Sequence, residues 1–471
     1  MPFILSGNVG SATAATGYDV ANSARFNDGS SDYLDHTHNA VTSTRKQTFS
    51  VWVKRSHLTS YQYIISTKNG TNTDRDGIAF SGSDQIDIRY GAGSSSPIRL
   101  TTNRLFRDPS AWYHIVVAVD TTQGTAGNRI KLYVNGVQET SFANSSYMDQ
   151  NYDFALNAKT DQATGIGVDG RLNDAYFDGY FSEFVAIDNQ QLAADQFGEF
   201  DDSGIWKPID VSGLTFGNAG FYMNFQTAAE LGTDVSGNSN TFAENNLTAI
   251  DQSTDTCTNN FATLNPLNYS SSSKTYAFGN TAITASASGS WNATLSNFAV
   301  SSGKWYTEYK ITAVGSFSAI GVGYQPFNTN ASAYLGSTFL VGEDTGSFGW
   351  RNNGARPQGG SNLSSWGTND ILMIAIDMDN QKLYFGKNGT WETSGNPESG
   401  ATGTGSIGNL TAGEDYLFVI CPRGGGTSVN FGSPSFAISS GNADGDGYGN
   451  FEYAVPSGYF SLNTKNLAEY G

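Results

Sequence analysis

The run Trp112-Tyr113-His114-Ile115-Val116-Val117-Ala118-Val119-Asp120 is almost continuously apolar, which is typical of a strand at the centre of a sheet. After a loop, Arg129-Ile130-Lys131-Leu132-Tyr133-Val134 alternates polar and apolar residues, and Asn135-Gly136 then favours a tight turn. These segments predict a strand, a loop, a second strand and a hairpin turn.

The same pattern recurs in the C-terminal half of the chain. The apolar run 370–377 is followed by Gln381-Lys382-Leu383-Tyr384-Phe385 and then by Asn388-Gly389. Shorter alternating strands are predicted at 48–53 and 86–90, each bounded by Gly, Ser or Asp. Two domains of related architecture are the simplest explanation.

Composition favours an all-β protein with two antiparallel β-sandwich domains. The 471 residues exceed what one core usually serves, and 55 glycines with 13% aromatic residues suit short strands and tight turns. The formal net charge of −18 repels phosphate backbones and anionic lipid surfaces. We therefore expect neither nucleic acid nor a membrane as a partner.

The cysteines and the N-terminal sequence limit the compartment. Cys257 and Cys421 are far apart in the chain, so neither a disulfide scaffold nor a zinc knuckle is expected. The start, Met1-Pro2-Phe3-Ile4-Leu5, lacks a basic region and an apolar stretch long enough for export, and no run of about 20 apolar residues occurs. We expect synthesis in the cytoplasm, with assembly and lysis as the route outside.

The chain divides into five predicted regions. Residues 1–24 are an extended N-terminal docking arm, 25–200 a first sandwich, 201–274 a connector with some strand content, 275–435 a second sandwich, and 436–471 a C-terminal tail. The one helical candidate is 188–200, which is short and marginal. Trp52, Trp112 and Trp305 are expected in the cores, where truncation to Ala costs roughly 3 to 5 kcal/mol.

Several motifs resemble known sandwich families. The first sandwich resembles laminin-G-like, concanavalin A-like domains at 49–53, 112–116, 132–136 and 179–184. The second resembles a SPRY domain, a relative of the same sandwich, at 303–308, 320–324, 370–377, 383–389 and 429–432. These resemblances imply the concanavalin-like jelly-roll type for both sandwiches.

The tandem order of these domains adds a further resemblance. With the segment 261–267 and the ending 455–459, it resembles structural proteins of marine tailed phages, including phages that infect cyanobacteria. This implies a virion protein on the tail or capsid, such as a fibre, spike or decoration protein that contacts host surface glycans, with a trimer expected by analogy.

The sequence offers little for catalysis. Retaining glycosidases of concanavalin-like fold need two acids about 5 Å apart, usually on a Glu-x-Asp-x-x-Glu strand, which is absent. Glu183 and Glu308 are single acids on alternating strands. Neither a Gly-x-Ser-x-Gly elbow in a strand-to-helix context nor a Cys beside His and Asn occurs. We expect the protein not to be an enzyme.

Metal ligands are also weakly indicated. His36 and His38 would share one strand face, but His36, His38, His57 and His114 are interpreted as polar loop residues. Calcium is possible at Asp444-Gly445-Asp446-Gly447 or at 234–238, whose loops are rich in oxygen. Position twelve from Asp444 is Val455 and not Glu, so Asp444 and Asp446 more simply form turns. The sequence predicts no cofactor.

The candidate ligand-binding residues are Trp350, Arg351, Arg356 and Trp391. Sugar sites combine an aromatic platform with planar polar groups, and these residue types lie near predicted loops. Core packing is the alternative for both tryptophans, so Arg351 and Arg356 are the better exposed candidates.

The sequence favours a non-enzymatic virion surface protein that makes assembly contacts with other virion proteins and binds host glycan. Weak sites multiplied by copy number would supply the avidity. Two rivals remain: a purely structural cement protein and a polysaccharide depolymerase.

Overall fold

The computed structural model describes residues 17–68, 76–91, 98–170, 173–267, 274–286, 293–315, 317–324 and 346–471. These residues form two compact units, an N-terminal unit ending at Thr258 and a C-terminal unit running from Asn259 to Gly471. With 41% strand and 7% helix, the predicted all-β class is confirmed. Of the predicted arm, residues 1–16 lie outside the described residues.

The N-terminal unit contains eighteen strands among its described residues. In chain order they are β1 (Ser23–Phe26), β2 (Tyr33–His36), β3 (Lys46–Arg55), β4 (Gln62–Lys68), β5 (Gly77–Phe80), β6 (Ile86–Tyr90), β7 (Ile98–Thr102), β8 (Trp112–Asp120), β9 (Ile130–Val134), β10 (Val137–Glu139), β11 (Phe142–Ser145), β12 (Ala163–Ile166), β13 (Gly179–Asp188), β14 (Gly198–Phe200), β15 (Trp206–Pro208), β16 (Phe221–Met223), β17 (Ala243–Asn245) and β18 (Gln252–Ser253). Single 3₁₀ turns lie at Asp28–Ser30, Ala126–Asn128, Ala194–Gln196 and Ala249–Asp251.

Two antiparallel sheets form this sandwich. Sheet 1 has the order β10-β9-β8-β3-β13-β1-β18, with β16 also paired to β13, and sheet 2 has the order β11-β7-β6-β5-β4-β12-β2-β17. The alternating residues Ile115, Val117, Ile86 and Ile88 turn inward into one buried core. Each such side chain contributes about 1.5 to 3 kcal/mol by leaving water.

The predicted hairpin turn is present between β9 and β10. Asn135 and Gly136 have φ values of 47° and 78°, the left-handed pair that a two-residue type I′ turn requires. Val134 pairs with Val137 across it. The second Asn-Gly pair, Asn388-Gly389, has φ values of 49° and 83°.

Residues 201–258, predicted as part of a connector, lie in the N-terminal unit and complete its sandwich. β16 pairs with β13, β17 with β2 and β18 with β1. Val116, Val185 and Ile187 face the outer side of sheet 1 and pack there against Phe216 and Tyr222 in a second small core. A strand that is apolar on both faces needs a cover on each, and this segment supplies it.

The C-terminal unit contains twelve strands and one α-helix among its described residues. They are β19 (Lys274–Ala277), β20 (Ala282–Ala285), β21 (Thr294–Val300), β22 (Lys304–Ala313), β23 (Phe317–Tyr324), β24 (Ser347–Arg351), β25 (Ile371–Asp377), β26 (Lys382–Lys387), β27 (Thr390–Trp391), β28 (Gly408–Asn409), β29 (Tyr416–Arg423), β30 (Gly426–Asn430) and α1 (Thr464–Tyr470). Two 3₁₀ segments lie at Glu392–Ser394 and Pro397–Thr402.

Its sheets have the orders β19-β20-β30-β22-β25-β26-β27, with β28 paired to β26, and β21-β29-β23-β24. The predicted tail, 436–471, packs on the outer side of the larger sheet, where Phe451 and Tyr459 contact Tyr306 and Tyr384. It also carries α1, whereas the predicted helix at 188–200 contains only one 3₁₀ turn. None of the helices formed by the described residues has the length and hydrophobicity needed to cross a bilayer.

Candidate functional site

The candidate site is a group of polar residues on the outer side of sheet 2, which we call the arginine–tyrosine patch: Tyr61, Asp87, Arg89, Arg99 and Thr101. In β6 and β7 the apolar residues turn inward, so Asp87, Arg89, Arg99 and Thr101 turn outward. The strand register pairs Asp87 with Thr101 and Arg89 with Arg99. Tyr61 immediately precedes β4.

The buried carboxylate of Asp87 holds the patch together. It accepts hydrogen bonds from Arg99 Nε (2.6 Å), Arg99 Nη2 (2.8 Å), Arg89 Nε (2.8 Å), the Tyr61 hydroxyl (2.7 Å) and the Thr101 hydroxyl (2.8 Å). Charge-assisted bonds of this kind are the strong ones and fix the planes of both guanidinium groups.

The protonation states follow from these contacts. Burial raises the pKa of Asp87, but the hydrogen bonds from Arg99 and Tyr61 and the charge of Arg89 outweigh it, so the pKa lies below its ordinary value. Burial and the charge of Asp87 raise the pKa of the Tyr61 hydroxyl, which therefore stays protonated and donating. The patch carries two cations and one anion, a net charge of +1.

Some of the hydrogen-bond donors of Arg89 and Arg99 remain available for a ligand. Both terminal amino groups of Arg89 and Nη1 of Arg99 make no hydrogen bond to any described residue, and the two side chains are 22% and 35% exposed. The Arg89 guanidinium lies 4.8 Å from the centre of the Tyr61 ring. The patch thus presents fixed, partly exposed donors beside an aromatic ring, which suits carboxylate, sulfate or hydroxyl groups of a ligand.

The two predicted tryptophan ligands pack inside the C-terminal unit. Trp350 is 0% exposed, stacks on Phe385, and donates through Nε1 to the carbonyl of Ser364 at 3.0 Å. Trp391 is half-buried, with its ring edge-on to Tyr306 and Tyr384. Core packing, the alternative interpretation, explains both rings.

The predicted arginine ligands are both half-buried in the same unit. Arg351 ends β24 and pairs with Ala319. Arg356 donates to the carbonyl of Ile407, and burial lowers its pKa. These contacts hold Arg356 against its own unit and give it a structural role.

The Asp444 carboxylate stabilises its own turn and binds it to residues nearer the C-terminus. Its carboxylate accepts from the backbone of Asp446, Tyr448 and Ser461, from the Ser461 hydroxyl and from Asn466 Nδ2. Protein donors therefore occupy the lone pairs that calcium would use. Asp234 likewise accepts from Tyr222, Ser236 and Asn240.

His36 and His38 do share one side of the chain, since their rings are 4.9 Å apart, and His38 is buried.

His114 is also buried, and it lies in strand β8 and not in a loop. Trp206 Nε1 donates to its Nδ1 at 2.9 Å, and its Nε2 lies 2.8 Å from the Ser50 hydroxyl. Burial lowers the pKa of His114 to about 3. Its ring is a structural link and not a base.

The two single acids differ. Glu308 is buried and accepts from the backbone of Glu452 and Tyr453, which ties the tail to β22. Glu183 lies at a bulge in β13 with a φ of 49° and accepts from the Tyr222 hydroxyl at 2.6 Å and the Tyr18 hydroxyl at 3.3 Å. Burial raises the pKa of Glu183 to about 7.

The arginine–tyrosine patch was missed at the sequence level, although its signal was present. The alternation of 86–90 places Asp87 and Arg89 on the polar side of a strand, and Ile98-Arg99-Leu100-Thr101 repeats it. Opposite charges two positions apart lie on the same side of a strand and indicate an ion-paired surface.

Comparison with known proteins supports the fold of the first unit. Residues 28–196 match the family described as the concanavalin A-like lectin/glucanases superfamily, so this part of the chain is similar to that family. No curated protein matches the sequence.

Three solved structures align with parts of the chain. The SPRY domain of human HERC1 is 18% identical over 32% of this chain and 87% of its own, with a TM-score of 0.24. A heptameric SAP-like pentraxin from Limulus polyphemus is 17% identical over 38% and 82%, with a TM-score of 0.27. A Bacteroides ovatus protein named for carbohydrate binding is 16% identical over 49% and 60%, with a TM-score of 0.32. At such low scores these alignments carry no functional argument.

Proposed function

We propose that the N-terminal unit binds an acidic glycan through the arginine–tyrosine patch. The observation that carries this proposal is the set of three unbonded guanidinium amino groups that Asp87 fixes beside the Tyr61 ring. A carboxylate or sulfate on a sugar would accept from Arg89 and Arg99, and the sugar ring would lie against Tyr61. The concanavalin A-like domain is a suitable scaffold for such a site.

Electrostatics favours binding of an anionic sugar at the arginine–tyrosine patch and disfavours it on the rest of the surface. The chain has a net charge of −18, so a negatively charged polysaccharide is repelled by most of the surface. A local net charge of +1 therefore selects where such a ligand makes contact. Each contact is weak, and repeated copies on one particle would raise the overall affinity.

The test measures binding of the full chain to alginate, which carries carboxylates, to carrageenan, which carries sulfates, and to neutral dextran. Arg89→Gln removes two of the three free amino groups, and its matched control, Arg45→Gln, removes an exposed arginine that pairs with Asp153. We expect binding to one or both acidic polymers, about tenfold weaker in Arg89→Gln, unchanged in Arg45→Gln and weaker at high salt. Equal binding by both variants, or binding to dextran alone, would contradict the proposal.

We propose further that this binding serves a non-enzymatic virion surface protein that contacts other virion proteins. The tandem resemblance to structural proteins of tailed phages supports this setting. Immunogold microscopy of intact particles with antibodies against the N-terminal unit tests it. Label on the particle surface supports host attachment, label only after disruption supports the cement protein, and no label overturns the virion assignment.

Glu183 favours the depolymerase as a second candidate, because a carboxyl with a pKa of about 7 has the protonation expected of a glycosidase acid. Against it, two tyrosines already contact Glu183, and its side chain is buried. New reducing ends released from alginate or carrageenan by the parent protein, and not by Glu183→Gln, would establish the enzyme.

A further inference from the structure

A second cluster of chemically active residues lies at one end of the N-terminal sandwich, apart from the arginine–tyrosine patch. β3, β13 and β1 are neighbours in sheet 1, and Gly179 at the start of β13 pairs with Phe26 and Arg55 near the ends of the other two. Because the strands are antiparallel, the loops that follow β1 and β3 and the loop that precedes β13 meet at one edge.

Each of these three loops contributes one ligand atom. Asp28 follows β1, His57 follows β3 and Asp178 precedes β13, and their ligand atoms all lie within 4.8 Å of one another. His57 Nδ1 is 2.8 Å from Asp28 Oδ2. Residues 150 positions apart in the chain are thus held together by the register of the sheet.

Asp178 supplies the second observation. Its side chain is only 3% exposed, and its Oδ1 is buried without a hydrogen bond to any described residue. A buried carboxylate oxygen that faces another carboxylate needs either a proton or a cation.

The guanidinium group of Arg55 does not meet that need, because it is bonded to other groups. Arg55, which ends β3, donates to Asp84 and to the carbonyls of Phe106 and His57. Asp32 adds a third carboxyl to this region, and burial raises its pKa to about 6. The charge of Arg25 acts on Asp32, so Asp28 and Asp178 remain the acidic pair that Arg55 does not neutralise.

We infer that Asp28, His57 and Asp178 form a binding site for a divalent transition-metal ion of the zinc class. One imidazole nitrogen and two carboxylate oxygens suit zinc, whereas calcium and magnesium prefer sets made of oxygen alone. The side chains of His57 and Asp28 are 51% and 34% exposed, which leaves room for water at the remaining position. The ion would tie three loops at one end of the sandwich.

The test is a zinc titration of the chelator-treated full chain, followed by calorimetry and by the thermal unfolding midpoint. His57→Ala removes the most exposed ligand and should leave the fold intact, and Asp178→Asn removes the buried charge. His36→Ala is the matched control, since it removes a histidine elsewhere in the same unit. We expect zinc to raise the midpoint of the parent and of His36→Ala, with affinity roughly tenfold or more weaker in His57→Ala and Asp178→Asn.

Three results would overturn the inference. If zinc leaves the midpoint of the parent unchanged, Asp178 and Asp28 share a proton instead of a metal. If zinc binds the parent and His57→Ala with the same affinity, the ion is held elsewhere. Tighter binding of calcium than of zinc would also exclude a site of the zinc class.

Discussion

Asp87 and Glu183 are buried carboxyl groups on the two sheets of the same sandwich, and their pKa values are shifted in opposite directions. Each accepts a short hydrogen bond from a tyrosine, at 2.7 Å from Tyr61 and at 2.6 Å from Tyr222. The pKa of Asp87 nevertheless lies below its ordinary value, whereas burial raises that of Glu183 to about 7. Tyrosine hydrogen bonds alone therefore do not offset burial.

The difference lies in the cations. Arg89 and Arg99 neutralise Asp87, and in return the carboxylate fixes two guanidinium groups at a surface where a ligand can reach them. Glu183 has two tyrosine partners and lies on the side of sheet 1 that the chain after β13 covers. Asp87 therefore holds a charged surface in place, whereas the surroundings of Glu183 favour its protonated form.

Replacing the anion of the patch should have the largest effect. Asp87→Asn leaves two guanidinium groups beside each other without their counter-ion, so we expect the N-terminal unit to lose about 3 kcal/mol of stability at pH 7. Denaturant unfolding of the full chain, combined with hydrogen exchange of peptides from β6 and β7, separates this unit from the C-terminal one.

The control for Asp87→Asn is Asp153→Asn, which breaks the exposed pair with Arg45. Exposed pairs contribute little, so this variant should unfold like the parent. An Asp87→Asn protein as stable as this control would show that the arginines do not depend on Asp87.

Glu183 and Asp87 should make stability depend on pH in opposite ways. The folded-state pKa of Glu183, about 7, exceeds its ordinary value of 4.5, so the folded chain retains a proton that the unfolded chain loses. The resulting stability is present below pH 4.5 and is lost as the pH rises towards 7. Asp87, whose pKa is lowered, instead contributes stability above its unfolded value and loses it in acid.

Glu183→Gln should remove the loss of stability that ionisation of Glu183 causes at high pH. We expect the variant to be more stable than the parent by up to about 3 kcal/mol at pH 8 and equally stable at pH 4. Denaturant unfolding at pH 4, 6 and 8 measures both curves. Parallel curves would mean that the Glu183 carboxyl ionises normally in the folded chain.

Sequence periodicity predicted the strands well, because alternation and apolar runs report burial directly. Trp305 is fully buried and Trp52 is buried, as expected, but Trp112 is half-buried with Nε1 donating to Asp255 at 3.1 Å. Periodicity does not reveal which apolar residues face a polar partner on the outer side of a sheet.

The sites were harder to predict, because they depend on register and on loops distant in sequence. The polar side of β6 is readable from 86–90, but its pairing with Arg99 needs the β6–β7 register. Asp28, His57 and Asp178 meet only once β1, β3 and β13 are aligned. The N-terminal unit extends to Thr258 and not to residue 200, as the sequence suggested. Val185 and Ile187 face the outer side of sheet 1, and residues after 200 that read as a connector cover them there.

The smallest expected effect distinguishes the two tyrosines. Tyr61→Phe removes a hydrogen bond to a carboxylate that is ionised at both pH 5 and pH 8, so its cost of about 1 kcal/mol should be the same at both. Tyr222→Phe removes a donor from a carboxyl that is mostly neutral at pH 5 and ionised at pH 8, so its cost should be greater at pH 8. Both variants keep the ring and its packing, which makes them matched controls for each other in denaturant unfolding. A cost for Tyr61→Phe that changes between the two pH values, or one for Tyr222→Phe that does not, would contradict the assignment of Asp87 as the charged carboxyl and Glu183 as the neutral one.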